Sequence, residues 1–485
     1  MEKIIKDIEQ LFQSFKNKNA DRIKMLPQSG SDRIYFRIYC GNETFIATHN
    51  LNVKENNTFI NFSKHFLGKG LPVPEIFFIN PEQTIYLQQD LGTQSLLNKL
   101  EQQGYTNYVY ELFQKSLQQL ARIQIKGDEN LNYNWCLTAK EFGRQAILSD
   151  LLYCKYYFLD TLKLPYDKQA MLDEFEELSN YLTKAEYKYF LFRDFQSRNI
   201  LIDENDKVHF IDYQGGMKGA LQYDVASLLW QAKAELNDEW KNNLLQYYIG
   251  EAEELLAKKI DWQIFINRYN GYVLIRLLQV LGAYGFRGLF ERKAHFLSSI
   301  PLALKNLKSF LEKNPINLRL PEFERVLNLI VQDEIVERFQ SIQANKNSKL
   351  IVKINSFSYK KELPENENGH GVGFVFDCRG ILNPGRFEEF KFLNGNDKKV
   401  RDFLEQQTKM NEFLNGVFTL VDISVEDYLQ RGFCNLMINF GCTGGQHRSV
   451  YAAEQTARHL KNKFKVKVEV KHQNEMNWTS KIYNL

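Results

Sequence analysis

Apolar residues recur at Ile4, Ile5, Ile8, Leu11, Phe12 and Phe15, a spacing that predicts an amphipathic helix over residues 3–16. The stretch LPQSGSDRIYFRIYCGNETFIATHN, residues 26–50, then reads as turn, strand, Gly-Asn turn and strand. Residues 55–67 return to helical spacing, and Gly70-Leu71-Pro72-Val73-Pro74 breaks the chain before two strands. The second of these, TIYLQQDLG over residues 84–92, ends in a turn. From about residue 95 through Tyr181 the pattern is helical and rich in Leu, Tyr and Phe. Aromatic stripes such as Tyr153, Tyr156 and Tyr157 are assigned to core rather than to a platform for a sugar. Residues 189–216 read as a strand, a polar turn and a tight hairpin, with arms at 199–203 and 208–212 around the turn Glu204-Asn205-Asp206-Lys207. Helices resume from Asp224, a candidate N-cap, to about residue 345.

The polar run QANKNSK at 343–349 separates that helical region from a new strand, LIVKINSFSY, and marks a domain boundary near 340–350. Two domains are expected, at 1–345 and 349–485. The second runs strand, loop, strand, helix, strand, Gly-rich loop, helix, strand, the order of a compact α/β unit. No internal repeat or low-complexity tract interrupts either one.

A chain of 485 residues has room for two or three domains with sizeable cores. With 62 basic and 59 acidic residues, charge alone does not call for a nucleic-acid partner. The six cysteines, at 40, 136, 154, 378, 434 and 442, contain no C-x-x-C pair, which argues against a zinc site or disulfide framework and fits a reducing compartment. The N-terminus is amphipathic and charged, and no run of about 18 apolar residues occurs. The expected location is the cytoplasm.

The chemistry concentrates where the hairpin strands end. Asp194 and Asn199 lie five residues apart, and Asp212 closes the second arm. Two carboxylates and an amide oxygen converging at one strand end suit magnesium–nucleotide chemistry: oxygen ligands hold a hard cation, and a free carboxylate orients or deprotonates a hydroxyl. This stretch resembles the catalytic and metal loops of the protein-kinase-like superfamily, with Asp194 at the catalytic position and Asn199 and Asp212 at the metal positions. The words IDYQ and YDVASLL resemble the aminoglycoside phosphotransferase branch, and most of all its N-acetylmuramate/N-acetylglucosamine kinases. Phe192 stands where that family usually has His.

The resemblance implies an α+β, bilobal kinase-like fold, with an N-lobe over about 1–90 and a C-lobe over about 91–345, and it implies ATP and Mg2+ as cofactors. It places Ser29, Gly30 and Ser31 in a phosphate-covering turn, and Gln89, Asp90 and Leu91 in an adenine-facing hinge. It also calls for a phosphate-binding Lys on the second strand of the N-terminal hairpin, but Thr48 or His49 occupies that slot.

In the second domain, the strand 434–440 enters a turn with three glycines, and a helix begins near Arg448. Amides of a Gly-rich loop at a helix N-terminus bind anions, so residues 441–449 are read as a phosphate or sulfate site with His447 and Arg448 as added donors. Asp377, Arg379, Asn383 and Arg386 follow an apolar strand and could converge on the same crevice. The words FDCRGILNPGR and GCTGGQHRSV resemble the C-terminal domain of the RNase adapter protein family, RapZ. In that family the domain binds RNA and an amino-sugar phosphate, and the candidate phosphate or ligand contacts here are Asp377, Arg379, Asn383, Cys442, Thr443, Gly444, Gly445, His447, Arg448 and Ser449. The adapter's own P-loop word, G-x4-G-K-[ST], does not occur in this chain. Cys442 through Ser449 also has the C-x5-R-S spacing of cysteine-dependent phosphatases, with Asp377 as a candidate acid.

The leading expectation is therefore an ATP- and magnesium-dependent kinase of a small amino-sugar hydroxyl, with a second domain that binds a phosphorylated sugar or RNA. A catalytically inactive kinase-like scaffold is the first alternative. Phosphatase chemistry at Cys442 is the second.

Overall fold

The computed structural model describes residues 2–26, 33–291, 294–340, 343–345, 348–361, 363–364 and 372–478. The chain divides into two compact units, residues 1–290 with 299–337, and residues 291–298 with 338–485.

The first unit opens with helix α1 (Glu2–Lys16) and a five-stranded antiparallel sheet. Its strands are β1 (Arg22–Met25), β2 (Ile34–Cys40), β3 (Glu43–His49), β4 (Ile76–Ile79) and β5 (Ile85–Gln89), in the order β1-β2-β3-β5-β4. Side chains alternate across a strand, so the sheet has two apolar faces of different make-up. Phe36, Ile38, Phe45, Ala47, Ile85 and Leu87 pack with Ile8, Leu11 and Phe12 of α1. The opposite face carries Tyr35, Thr48 and Tyr86, which are cross-strand neighbours. Helix α2 (Val53–Gly68) covers it, its Phe59 ring lying 5.7 Å from Tyr86. The expected helix and hairpins are present; β1 adds a strand the pattern did not suggest.

Helices Leu96–Gln103, Asn107–Asp128, Arg144–Tyr157 and Lys168–Leu182 follow. Two small antiparallel pairs carry the polar turn: β6 (Lys188–Leu191) with β9 (Met217–Ala220), and β7 (Ile200–Ile202) with β8 (Val208–Phe210). The remaining helices include Leu221–Leu229, Asp238–Leu256, Trp262–Tyr284, Ile300–Lys313 and Pro321–Ile330. Asp224 is not an N-cap. Ala220 precedes the helix, and Asp224 lies inside its first turn, fully buried.

Trp262–Tyr284 runs into a π turn at Gly285–Phe290. This segment is long and apolar enough to cross a membrane by length and composition, yet 56% of its most apolar window is buried inside the protein. Its close packing requires glycine: a Cβ on Gly285 would sit 2.2 Å from the Tyr157 carbonyl oxygen, and one on Gly282 2.9 Å from the Cys154 nitrogen. Tyr153 and Tyr157 join this contact, with the Tyr157 and Phe286 rings 4.8 Å apart, whereas Tyr156 is exposed.

The second unit is a four-stranded parallel sheet of β10 (Ile351–Ser358), β11 (Phe374–Asp377), β12 (Asn435–Cys442) and β13 (Lys467–His472), in the order β11-β12-β10-β13. Its core joins Val352, Ile354, Ile438 and Phe440 to Val417, Val421 and Leu460 on helices. Two helices, Lys398–Gln407 and Met410–Arg431, stand where one was expected. Thr408 divides them: its hydroxyl donates to the Leu404 carbonyl and accepts from the Met410 N–H.

Phe190 of β6 is fully buried, with its ring 5.5 Å from Phe62 and 4.8 Å from Phe66 of α2. Phe190→Ala is expected to destabilise the first unit by about 3–5 kcal/mol, read by urea denaturation. A loss under about 1 kcal/mol would show that this ring pair does not tie α2 to the strand below it.

Candidate functional site

The polar turn after β6 is shaped by buried charges beneath it. Asp224 accepts from the Phe192 N–H (2.7 Å) and the Arg193 N–H (3.0 Å), and from Gln124 Nε2 (3.0 Å). Complete burial pushes its carboxyl up to about 7, although these donors and Arg276 pull the other way. The Arg193 guanidinium points inward, bonding Asp150 Oδ1 (2.7 Å) and the Tyr223 hydroxyl (2.9 Å). The Arg193 backbone is left-handed, at φ 80°, a conformation a bulky residue adopts only when its surroundings impose it. Phe192, in place of the family's usual His, is buried against the rings of Phe195, Phe210 and Tyr213. Here an aromatic cluster and the Asp224 carboxylate shape the loop.

The three oxygen-bearing residues meet above this base. Asn199 Nδ2 donates to the Asp194 carbonyl (2.9 Å) and to Asp212 Oδ2 (3.3 Å), so one amide spans both loops. The Asp194 side chain is partly exposed, with Arg276 Nη1 3.7 Å from its Oδ1. Asp212 is left-handed at φ 72°, the second strained non-glycine residue of the site. Its Oδ1 accepts from Arg33 Nη2 (2.6 Å) and Gln214 Nε2 (3.0 Å). Burial opposes ionisation of Asp212, but the Arg33 charge and these bonds hold its carboxyl below the usual carboxylate range. Next along the chain, Tyr213 stacks on Phe59 at 4.8 Å and bonds Ser63, which ties the loop to α2.

The residues fit a hard cation. Asp212 carries two carboxylate oxygens and Asn199 an amide oxygen, and the adjacent Gln214 Oε1 is buried with no hydrogen-bond partner. Among the described residues no group of three or more His, Cys, Asp or Glu could hold a metal, so further ligands there would be amide or phosphate oxygens.

Ser29, Gly30 and Ser31 lie outside the described residues. Of the hinge residues, Gln89 uses its own N–H on the Glu75 carbonyl (2.9 Å). Asp90 is held by Arg37 at 2.6 Å, and Leu91 is buried. Arg33, Glu55, Arg193 and Arg276 escaped the reading of the sequence, and Asp224 was read there as a cap. Arg193 adjoins Asp194 but nothing local signals its inward turn, and Arg33, Glu55 and Arg276 lie about 80 to 160 residues from Asp194 in chain order.

In the second unit, the pairings Ser358↔Cys442 and Asp377↔Gly441 bring the ends of β10, β12 and β11 to one rim. The glycine loop there is held from all sides. Gly445 N–H donates to Cys442 Sγ (3.2 Å), and Ser449 Oγ lies 3.1 Å from the same sulfur. Ser358 Oγ bonds the Thr443 carbonyl, Asn474 Nδ2 the Gly444 carbonyl, and Trp478 Nε1 the Gly445 carbonyl. His447 and Arg448, expected as donors for an anion, spend part of that capacity within the fold, while Arg448 Nη2 stays 3.4 Å from Thr443 Oγ1 of the loop. His447 Nε2 is 2.9 Å from the Phe390 carbonyl, and Arg448 Nη1 donates to the carbonyls of Arg379 (3.1 Å) and Ile381 (2.7 Å). Carbonyls covered by the fold need donors, and these side chains supply them. Asp377 and Arg379 form a bidentate pair, and Asn383 caps the turn at Gly385. Of the arrangement that cysteine-dependent phosphatase chemistry needs, Arg448 Nη2 reaches Thr443 Oγ1 of the loop at 3.4 Å, while the candidate acid Asp377 is paired with Arg379.

Residues 23–257 match the phosphotransferase enzyme family, and residues 350–476 match the RapZ C-terminal domain. A nucleotide-binding protein of Thermosipho africanus is 30% identical over 237 residues, 48% of this chain and 75% of that protein. One from Fusobacterium nucleatum is 30% identical over 275 residues, 51% of this chain and 89% of the relative. Among solved structures, choline kinase LicA from Streptococcus pneumoniae is 12% identical, with a TM-score of 0.40, over 63% of this chain and 99% of its own.

Asp224→Asn removes the titrating group beneath the Phe192–Arg193 turn. A carboxyl raised from 3.8 to about 7 by folding stabilises most at low pH, and that contribution fades as pH rises through about 7. The stability gap between wild type and Asp224→Asn should therefore narrow between about pH 5 and about pH 8 in denaturant titrations. A gap that widens over that range would refute the assignment.

Proposed function

The chain joins a domain of the phosphotransferase enzyme family to a RapZ C-terminal domain, and from that premise we propose that it is an ATP- and magnesium-dependent kinase of a small-molecule hydroxyl. The acceptor in this reading is an amino sugar of the N-acetylmuramate/N-acetylglucosamine type. The observation that carries the proposal is the Asn199 amide, bonded at once to the Asp194 backbone and the Asp212 carboxylate.

In this mechanism Asp194, partly open to solvent, accepts the proton of the substrate hydroxyl while the oxygen attacks the terminal phosphoryl group. Arg276 steadies the ionised Asp194 carboxylate from 3.7 Å. Asn199 and Asp212 would hold the magnesium ion, with Gln214 Oε1 beside them, and the bound ion neutralises charge on the transferred group. The Asp224 base keeps Asp194 aimed by fixing the backbone before it. The second unit serves as a binding module for a phosphorylated amino sugar or RNA, for which the exposed Thr443–Gly444 edge of its loop is the open part.

The inactive-scaffold alternative draws on the missing β3 lysine. The two separate in a panel of amino sugars with ATP, followed by nucleotide turnover. The wild type should transfer phosphate, chelation of magnesium should stop it, and Asp194→Asn should lower kcat by roughly 10²- to 10⁴-fold with nucleotide binding retained. No transfer to any sugar by a wild type that binds ATP would favour the scaffold.

A further inference from the structure

We propose that Arg33 is the phosphate-binding cation of the kinase domain, moved from the third strand of the N-terminal sheet to the entrance of the second; the inference rests on the kinase reading above. Strand β3 reads ETFIATH and contains neither Lys nor Arg. Thr48, in the slot where that cation is expected, is fully buried. Its cross-strand neighbours are Tyr35 on β2 and Tyr86 on β5. Residues two apart on a strand share a face, so Arg33, just before β2, lies on the face of Tyr35, Thr48 and Tyr86, beside the empty slot.

The Arg33 guanidinium does there what a kinase lysine does. Its Nε pairs with Glu55 Oε1 of α2 at 3.5 Å, and its Nη2 bonds Asp212 Oδ1 at 2.6 Å. The residue is only 7% exposed, and Nε is buried without a hydrogen-bond partner. Glu55 is fixed in turn by Asn50 Nδ2 at 2.9 Å. In kinases generally, a lysine paired with an acidic residue of the following helix meets the nucleotide phosphates, and both must be in place beside the metal-binding Asp. Here one arginine touches both the helix acid and that Asp. Its planar fork can hold them and still offer N–H donors to phosphate oxygens, which a lysine ammonium does less well. The balance of charge agrees: Arg33 between Glu55 and Asp212 leaves one net negative charge, suited to a divalent ion that arrives with a polyphosphate.

The test is binding, not turnover. Full-length wild type, Arg33→Met and Glu55→Gln are titrated with Mg-ADP and with adenosine by calorimetry. Arg33→Met should weaken Mg-ADP by roughly 10- to 100-fold, with adenosine affinity unchanged, because only the phosphates lose a charged partner. Glu55→Gln keeps the cation but loosens its anchor, and should weaken Mg-ADP several-fold with adenosine again unchanged. Should Arg33→Met fail to fold, the Glu55→Gln comparison decides alone. Wild-type Mg-ADP affinity in either folded variant, or an equal loss for adenosine, overturns the assignment. If the wild type binds neither ligand, the kinase reading itself fails first.

Discussion

The turn that delivers Asp194 depends on one buried carboxylate. Asp224, with no solvent contact, accepts the N–H groups of Phe192 and Arg193 and so dictates the backbone that delivers Asp194. The strain at Arg193 is tolerable because its guanidinium is locked by Asp150 and Tyr223 beneath. With the turn held from below, Asn199 can reach the Asp194 carbonyl and Asp212 together. The same base presents the aromatic cluster of Phe192, Phe195 and Phe210 to Tyr213, which joins the Asp212 loop to α2.

The parts of this architecture with short-range causes were readable in the chain. Periodicity located α1, α2 and the β7–β8 hairpin, and the words around Asp194, Asn199 and Asp212 pointed to one strand end. The fold class, a kinase-like α+β domain followed by a parallel α/β unit, agrees with the family matches. What escaped depends on long-range pairing. Asp224 looked like a helix cap because a short acidic side chain ahead of an apolar run usually is one; tertiary burial gave it a different task. Arg33 carried no signal, since its partners Glu55 and Asp212 are 22 and 179 residues away. For His447 and Arg448 the sequence suggested donors beside glycines, and what it did not show is that part of that donor capacity goes to the carbonyls at 379, 381 and 390.

The two units share a principle at different scales. Each gathers polar groups where strands end, where backbone pairing stops and side chains must complete the hydrogen bonding. In the first unit the gathered groups are carboxylates, amides and arginines, with Gln214 Oε1, Arg33 Nε and Asp150 Oδ2 buried without a hydrogen-bond partner. In the second they are a sulfur, a hydroxyl and loop carbonyls, nearly all matched within the fold.

That matching in the second unit has its own thermodynamic meaning. Arg448 staples the turn after β11 to the glycine loop, and Asn474 and Trp478 brace the loop from the other side. Any ligand that docked on a rim this preorganised would find little conformational entropy left to lose, and a loop so braced cannot remodel itself around a poorly fitting guest.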